Sequence, residues 1–194
     1  GASKFDGEQW KRFNVAEPYE RFNISALCVD KVNNICIGSY NKFIIKNDEE
    51  YKVYRLPNYT YSEIVNIDID SDNNKWLVTG EGLFKFEVDS LKPYDTTNSE
   101  IPTNNLTCLA IDKLDNKWIG TVSKGVVLYD DGKWREFNTE NSGLLNDTIL
   151  TIFIDSYDNK WIGTNSGLCV YREGGVILNV EDNINFNNSI IRVN

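Results

Sequence analysis

Short apolar runs separated by polar turns recur along this chain, and within each run the apolar positions alternate. In 106–112, Leu109 and Ile111 fall on one face and the small Cys108 and Ala110 on the other, the alternation of a half-buried β-strand. Residues 113–116 read as a polar turn and 117–121 (KWIGT) as a returning strand. That reading pairs Asp112 with Lys117 and Ile111 with Trp118. A third run follows at 126–129, a turn signal (DDGK) at 130–133, and a fourth run (WREF) at 134–137. Each run has ordinary strand length. No stretch has the periodicity of an amphipathic helix.

The four-strand unit repeats. Residues 67–76 read IDIDSDNNKW, 109–118 LAIDKLDNKW and 152–161 IFIDSYDNKW, with a weaker copy, LCVDKVNNIC, at 27–36. The Asp closing the first run stands at Asp30, Asp70, Asp112 and Asp155, in steps of 40, 42 and 43. A period in this range built from short strands predicts propeller blades, not a helical solenoid. The expected fold is therefore an all-β β-propeller of four-stranded antiparallel blades in a single domain over 1–194, with repeats at about 15–56, 57–98, 99–140 and 141–183. Residues 5–14 echo 129–138, so the chain opens with the last strands of a partial blade (1–14). Residues 189–194, in the partial strand 184–194, match the opening of the first strand at 148–153. Four full repeats plus the partial terminal pieces make about five blades or an incomplete ring. An incomplete blade exposes a strand edge through which a homo-oligomer can form.

Composition agrees with a packed fold. The chain is 41% apolar and 12% aromatic, far from the signature of disorder. Its net charge is -9, with 20 basic against 29 acidic residues and no basic patch. Such a surface repels nucleic acid and anionic membranes, and no apolar run approaches the roughly 20 residues needed to cross a bilayer. Neither nucleic-acid binding nor membrane insertion is expected. The spacings of Cys28, Cys36, Cys108 and Cys169 match no zinc site. In the register above, Cys36 faces Val29 and Cys28 points to the opposite side, so all four read as small buried hydrophobes.

The chain contains no histidine, which excludes a Ser-His-Asp triad, a histidine base and a histidine metal cage. No catalytic residue, metal or cofactor is expected. The repeated acids resemble a calcium loop most around Asp68, Asp70, Asp72 and Asn74, but the Gly and bidentate Glu of such a loop are missing. They read as turn formers, since Asp and Asn bond nearby backbone and tolerate left-handed conformations. Trp76, Trp118 and Trp161 recur at one position, with Cys36 in the first copy, and read as rings packed against the neighbouring blade. Gly38, Gly120 and Gly163 read as places of close approach.

In a four-stranded blade the connections leading into the first and third strands share one face. These connections vary in sequence while the opposite turns repeat nearly verbatim. The candidate ligand-binding residues are therefore Tyr40, Asn41, Tyr59, Tyr61, Glu81, Asn104, Asn105, Lys124, Asn146, Asp147 and Asn165. Tyr and Asn combine flat apolar faces with hydrogen-bonding tips, which suits sugars or a protein surface.

The WIGT strand after D-x-x-x-N-K, followed by Gly and an aromatic-rich strand such as GLFKF or GVVLY, resembles the two-component regulator propeller repeat. Copies two to four carry the motif strongly, while copy one has Cys36-Ile37-Gly38-Ser39 in its place. The resemblance implies an exported bacterial protein, periplasmic or extracellular, serving as a noncatalytic sensor for a small-molecule or glycan ligand. The alternative is a cell-surface or periplasmic scaffold that binds another protein.

Overall fold

The computed structural model describes residues 2–13, 23–47, 50–57, 62–174 and 191–193, and within them every regular element is a strand. A hairpin of β1 (Ala2–Phe5) and β2 (Trp10–Phe13) comes first. Blade one contains β3 (Ile24–Val29), β4 (Ile35–Ser39), β5 (Lys42–Lys46) and β6 (Tyr51–Arg55). Blade two contains β7 (Ile64–Ile69), β8 (Lys75–Thr79), β9 (Gly82–Glu87) and β10 (Ser90–Tyr94). Blade three contains β11 (Leu106–Ile111), β12 (Lys117–Thr121), β13 (Val126–Asp130) and β14 (Lys133–Phe137). Blade four contains β15 (Ile149–Ile154), β16 (Lys160–Thr164), β17 (Gly167–Tyr171) and β18 (Ile191–Val193). Each is a four-stranded antiparallel meander, the blade that the repeat predicts. The terminal segment that resembles a first strand in sequence pairs here with β17 as a fourth.

The register between first and second strands differs by one residue from the sequence expectation. Ala110 faces Trp118, and Ile111 faces Lys117. The turn explains the shift: Asp115 N–H donates to the Asp112 carbonyl at 2.9 Å and Asp112 N–H to the Asn116 carbonyl at 3.0 Å. Asp115 sits at φ 63°. This is a three-residue loop whose last residue is left-handed and inserts a bulge. Asn33, Asn73 and Asp158 hold the same place at φ 65°, 67° and 69°, which is why Asn or Asp recurs there.

The same one-residue shift corrects the cysteine reading. Cys28 faces Cys36 directly across β3 and β4, and both thiols are free. A hydrogen bond from Cys36 holds the half-buried Cys28 thiol below its usual value, and the same contact together with burial pushes Cys36 up.

The chain forms two compact units, Gly1–Pro93 and Tyr94–Asn194. In the first, β3 and β4 pack on β7, around a core that includes Cys36, Phe43, Ile64, Leu77, Phe84 and Phe86. In the second, β11 and β12 pack on β15, around Trp118, Leu128, Leu144, Ile149, Ile162 and Cys169. Glycine is what lets the second strand of a blade approach its neighbour. A Cβ on Gly120 would lie 2.8 Å from Ile149 Cγ2, and one on Gly38 would lie 2.7 Å from Ile64 Cγ2, as expected for a close approach.

Candidate functional site

The acids that looked most like ligands are used inside the fold. Asp112 Oδ1 accepts the backbone N–H groups of Leu114 and Asn116 at 3.0 and 2.9 Å. Its Oδ2 accepts Asn116 Nδ2 at 3.0 Å and the Trp118 indole N–H at 2.9 Å. Asp70 and Asp155 make the same bonds, with indole contacts of 2.9 Å from Trp76 and Trp161. Burial pushes Asp112 and Asp155 up, but the indole and amide donors outweigh it and hold both below the ordinary carboxylate value. Each clasp ties the turn, the second strand and the ring together. Among the described residues, no cluster of three or more acids and cysteines can hold a metal.

A lysine from the next blade completes the clasp, and sequence reading missed it. Lys160 Nζ lies 3.3 Å from Asp112 Oδ2 and 5.1 Å above the Trp118 ring. Lys75 Nζ likewise lies 3.0 Å from Asp30 Oδ2. The repeated KW dipeptide was the available signal, because a lysine preceding a packed ring in copies two to four is unusual for a solvated side chain. The turns also reach across: Lys31 Nζ donates to the Ser71 carbonyl and Lys113 Nζ to the Ser156 carbonyl, both at 2.6 Å.

The loop face divides the predicted ligand residues. Asn104 Oδ1 accepts Thr96 N–H at 2.9 Å, and Asp147 Oδ1 accepts Thr139 N–H at 2.8 Å, so these equivalent positions brace their loops. Asn146 Oδ1 accepts Thr148 N–H, and its Nδ2 donates to Ser166 Oγ. Asn41 is at φ 57° and donates its N–H to the Ser62 carbonyl at 2.8 Å. Tyr40, Glu81, Asn105, Lys124 and Asn165 keep exposed side chains. Tyr59 and Tyr61 lie outside the described residues. Asn41 Oδ1 and Ser62 Oγ are buried without a hydrogen-bond partner among the described residues.

A second candidate sits on the opposite side of blade one. It is a cavity of about 240 Å³ lined by Asn34, Ile45, Asn47, Glu50, Lys52, Tyr54, Lys75, Phe86 and Asp89. The strand registers explain its origin. Cys36 pairs with Ile45 as Trp118 pairs with Leu128, and Phe43 pairs with Tyr54 as Val126 pairs with Phe137. Lys75 pairs with Phe86 as Lys160 pairs with Tyr171. In blade three the Trp118 ring stacks on Phe137 at 5.8 Å and meets Tyr171 at 5.2 Å. Blade one has a sulfur there, and Phe43 supplies a substitute ring, 5.1 Å from Phe86. Phe43 comes from the third strand, so the outer part of the ring site stays open. Tyr54 donates its hydroxyl to Asp89 at the rim and is pushed up to about 12 by burial and by that carboxylate. Hydrogen bonding from Tyr54 and the Lys52 charge hold Asp89 low. A wider, shallow depression of about 540 Å³ in blade three is lined by Glu100, Asp130, Gly132, Lys133, Trp134 and Arg135 and has no such counterpart.

No family model and no curated protein matches the chain. Among solved structures, the extracellular domain of the hybrid two-component system BT3049 from B. thetaiotaomicron is similar over 97% of this chain and 25% of its own, with TM-score 0.73 and 22% identity. The extracellular domain of BT4673 from the same organism is similar over 82% of this chain and 21% of its own, with TM-score 0.68 and 22% identity. A catalytically inactive His-to-Ala form of virginiamycin B lyase from Staphylococcus aureus, bound to quinupristin, is similar over 80% of this chain and 54% of its own, with TM-score 0.66 and 17% identity. The chain thus spans about a quarter of the first of these proteins. At such identities the likeness is one of fold, and it agrees with the blade architecture: the chain is an all-β propeller.

Proposed function

We propose that the chain is a noncatalytic recognition module, a propeller that binds a small molecule or glycan in the periplasm or outside the cell as part of a sensor of the two-component regulator type. The observation that carries this reading is the fold likeness to extracellular domains of two-component systems over nearly the whole chain. Two features support the noncatalytic part. The structurally similar lyase is described as inactive when a histidine is replaced, and these residues include no histidine at all. The acids that recur in every copy, Asp30, Asp70, Asp112 and Asp155, are held in turn clasps.

The loop face of the first unit supports the binding part. The Tyr40 ring is 51% exposed and offers a stacking surface. Next to it in the chain, Asn41 Oδ1, like Ser62 Oγ, has no hydrogen-bond partner among the described residues. A sugar ring can stack on the exposed Tyr40 face. Calorimetric titration of the chain with a panel of oligosaccharides tests the reading. Saturable binding by at least one glycan is expected, with a tenfold or greater loss in Tyr40→Ala. Silence across the panel removes the glycan ligand, and chemical turnover of any bound sugar removes the noncatalytic assignment.

A further inference from the structure

We propose that blade one binds the indole ring of an aromatic amino acid, in the place where its sister blades hold a tryptophan of their own. This site is apart from the loop face and does not depend on the sensor reading.

Blade one and blade three correspond position by position around this site. The Trp118 indole lies among Phe137, Tyr171 and Lys160, with its N–H on Asp112. The counterparts of the first three in unit one are Tyr54, Phe86 and Lys75, and all three line the open cavity. Ile45 and Asn34, the counterparts of Leu128 and Asn116, line it too. The site is built, because Lys75 is buried and fixed by Asp30 at 3.0 Å and by the Asn73 carbonyl at 2.8 Å. Asp30 Oδ2 receives Asn34 Nδ2 and Lys75 Nζ, but with Cys36 at the ring position it lacks the indole donor that Asp112 has. A ring entering the cavity would lie against Tyr54 and Phe86, which meet each other edge-on at 4.6 Å, and beside a buried ammonium, the same residue types that surround Trp118. A volume of about 240 Å³ is ample for one ring, since a dry cavity of ~150 Å³ takes up benzene.

The rim narrows the class of ligand. Glu50 and Asp89 carry negative charge there and Lys52 positive charge. A free amino acid presents an ammonium and a carboxylate just beyond its ring: the ammonium meets Glu50, and the carboxylate takes Lys52 from its exposed, solvent-screened pair with Asp89 at 3.7 Å, whereas a bare hydrocarbon ring engages neither. The ligand class is therefore an aromatic amino acid, with L-tryptophan the closest match to the missing side chain.

Calorimetric titration of the chain with L-tryptophan and with indole tests this directly. Both ligands should bind saturably, L-tryptophan at least tenfold more tightly. Cys36→Trp, which supplies the ring from within, should abolish both. Lys52→Trp, at a half-exposed position facing Ile45, should block the cavity from the fourth strand, so the test survives if Cys36→Trp does not fold. Glu50→Gln should weaken L-tryptophan and leave indole unchanged. Failure of both ligands to bind, or binding that persists when Lys52→Trp fills the cavity, overturns the proposal. Indole binding without tighter L-tryptophan binding overturns the amino-acid assignment. None of these outcomes touches the glycan titration, so the two readings fail separately.

Discussion

Blades one and three solve the same packing problem with rings from different strands. In blade three the ring belongs to the second strand: Trp118 stacks on Phe137, donates to Asp112 and lies under Lys160. In blade one Cys36 holds that position, and the ring moves to the third strand as Phe43, which meets Phe86 edge-on. The Asp clasp survives the exchange almost intact, because Asp30 still binds Asn34 and the backbone of Val32 and Asn34. The clasp therefore sets the turn, while the ring site tolerates a change of donor and leaves a cavity as the residue of that change.

The largest effect should come from removing the ring where nothing replaces it. Trp118→Ala should cost about 3–5 kcal/mol, whereas Cys36→Ala, which deletes one sulfur, should cost about 1 kcal/mol. Urea denaturation of each variant checks this, and equal losses would break the comparison. Next is the lysine. Lys160→Met leaves the buried Asp112 without its cation and should cost about 3 kcal/mol by the same assay. Smaller again is the close approach at glycine: Gly120→Ala should lose about 1–3 kcal/mol through the clash with Ile149. Gly80, with open space around its Cβ position, should accept Ala within about 0.5 kcal/mol.

The acid response is the finest probe. Asp112 and Asp155 are held below the ordinary carboxylate value of 3.8. Groups lowered on folding add stability that is present above that value and lost as the pH falls through the folded-state value. Stability of the folded chain should thus be flat above about pH 5 and decline below pH 4, and Asp112→Asn should shallow that decline. A stability that rises on acidification would contradict the clasp.

Much of the fold was legible in the sequence because alternation and a forty-odd-residue period are direct consequences of strands that shield one another. The turn acids were read correctly for a local reason, since Asp70 and Asp112 act within their own turns, while Gly120 was legible only as a residue without a side chain, its neighbour Ile149 lying in the next blade. The register of Ala110 and Trp118 was misplaced by one residue because a left-handed Asp115 adds a bulge that no alternation pattern reveals. That error also separated Cys28 from Cys36. The loop residues Asn104 and Asp147 looked available because a brace to a backbone N–H eight residues away leaves no mark in composition. The blade-one cavity needed both register and neighbouring blade: Cys36 alone signals a missing ring, but only Tyr54, Phe86 and Lys75 together show the walls that remain.

The most direct test of the central claim, that one ring site recurs in every blade and stands partly open in the first, is a thermal series on the reciprocal exchange. Trp118→Cys should lower Tm by about 5 °C or more, and Cys36→Trp should hold or raise it. Equal losses in both variants would show that the two positions are not the same site, and the account would fall.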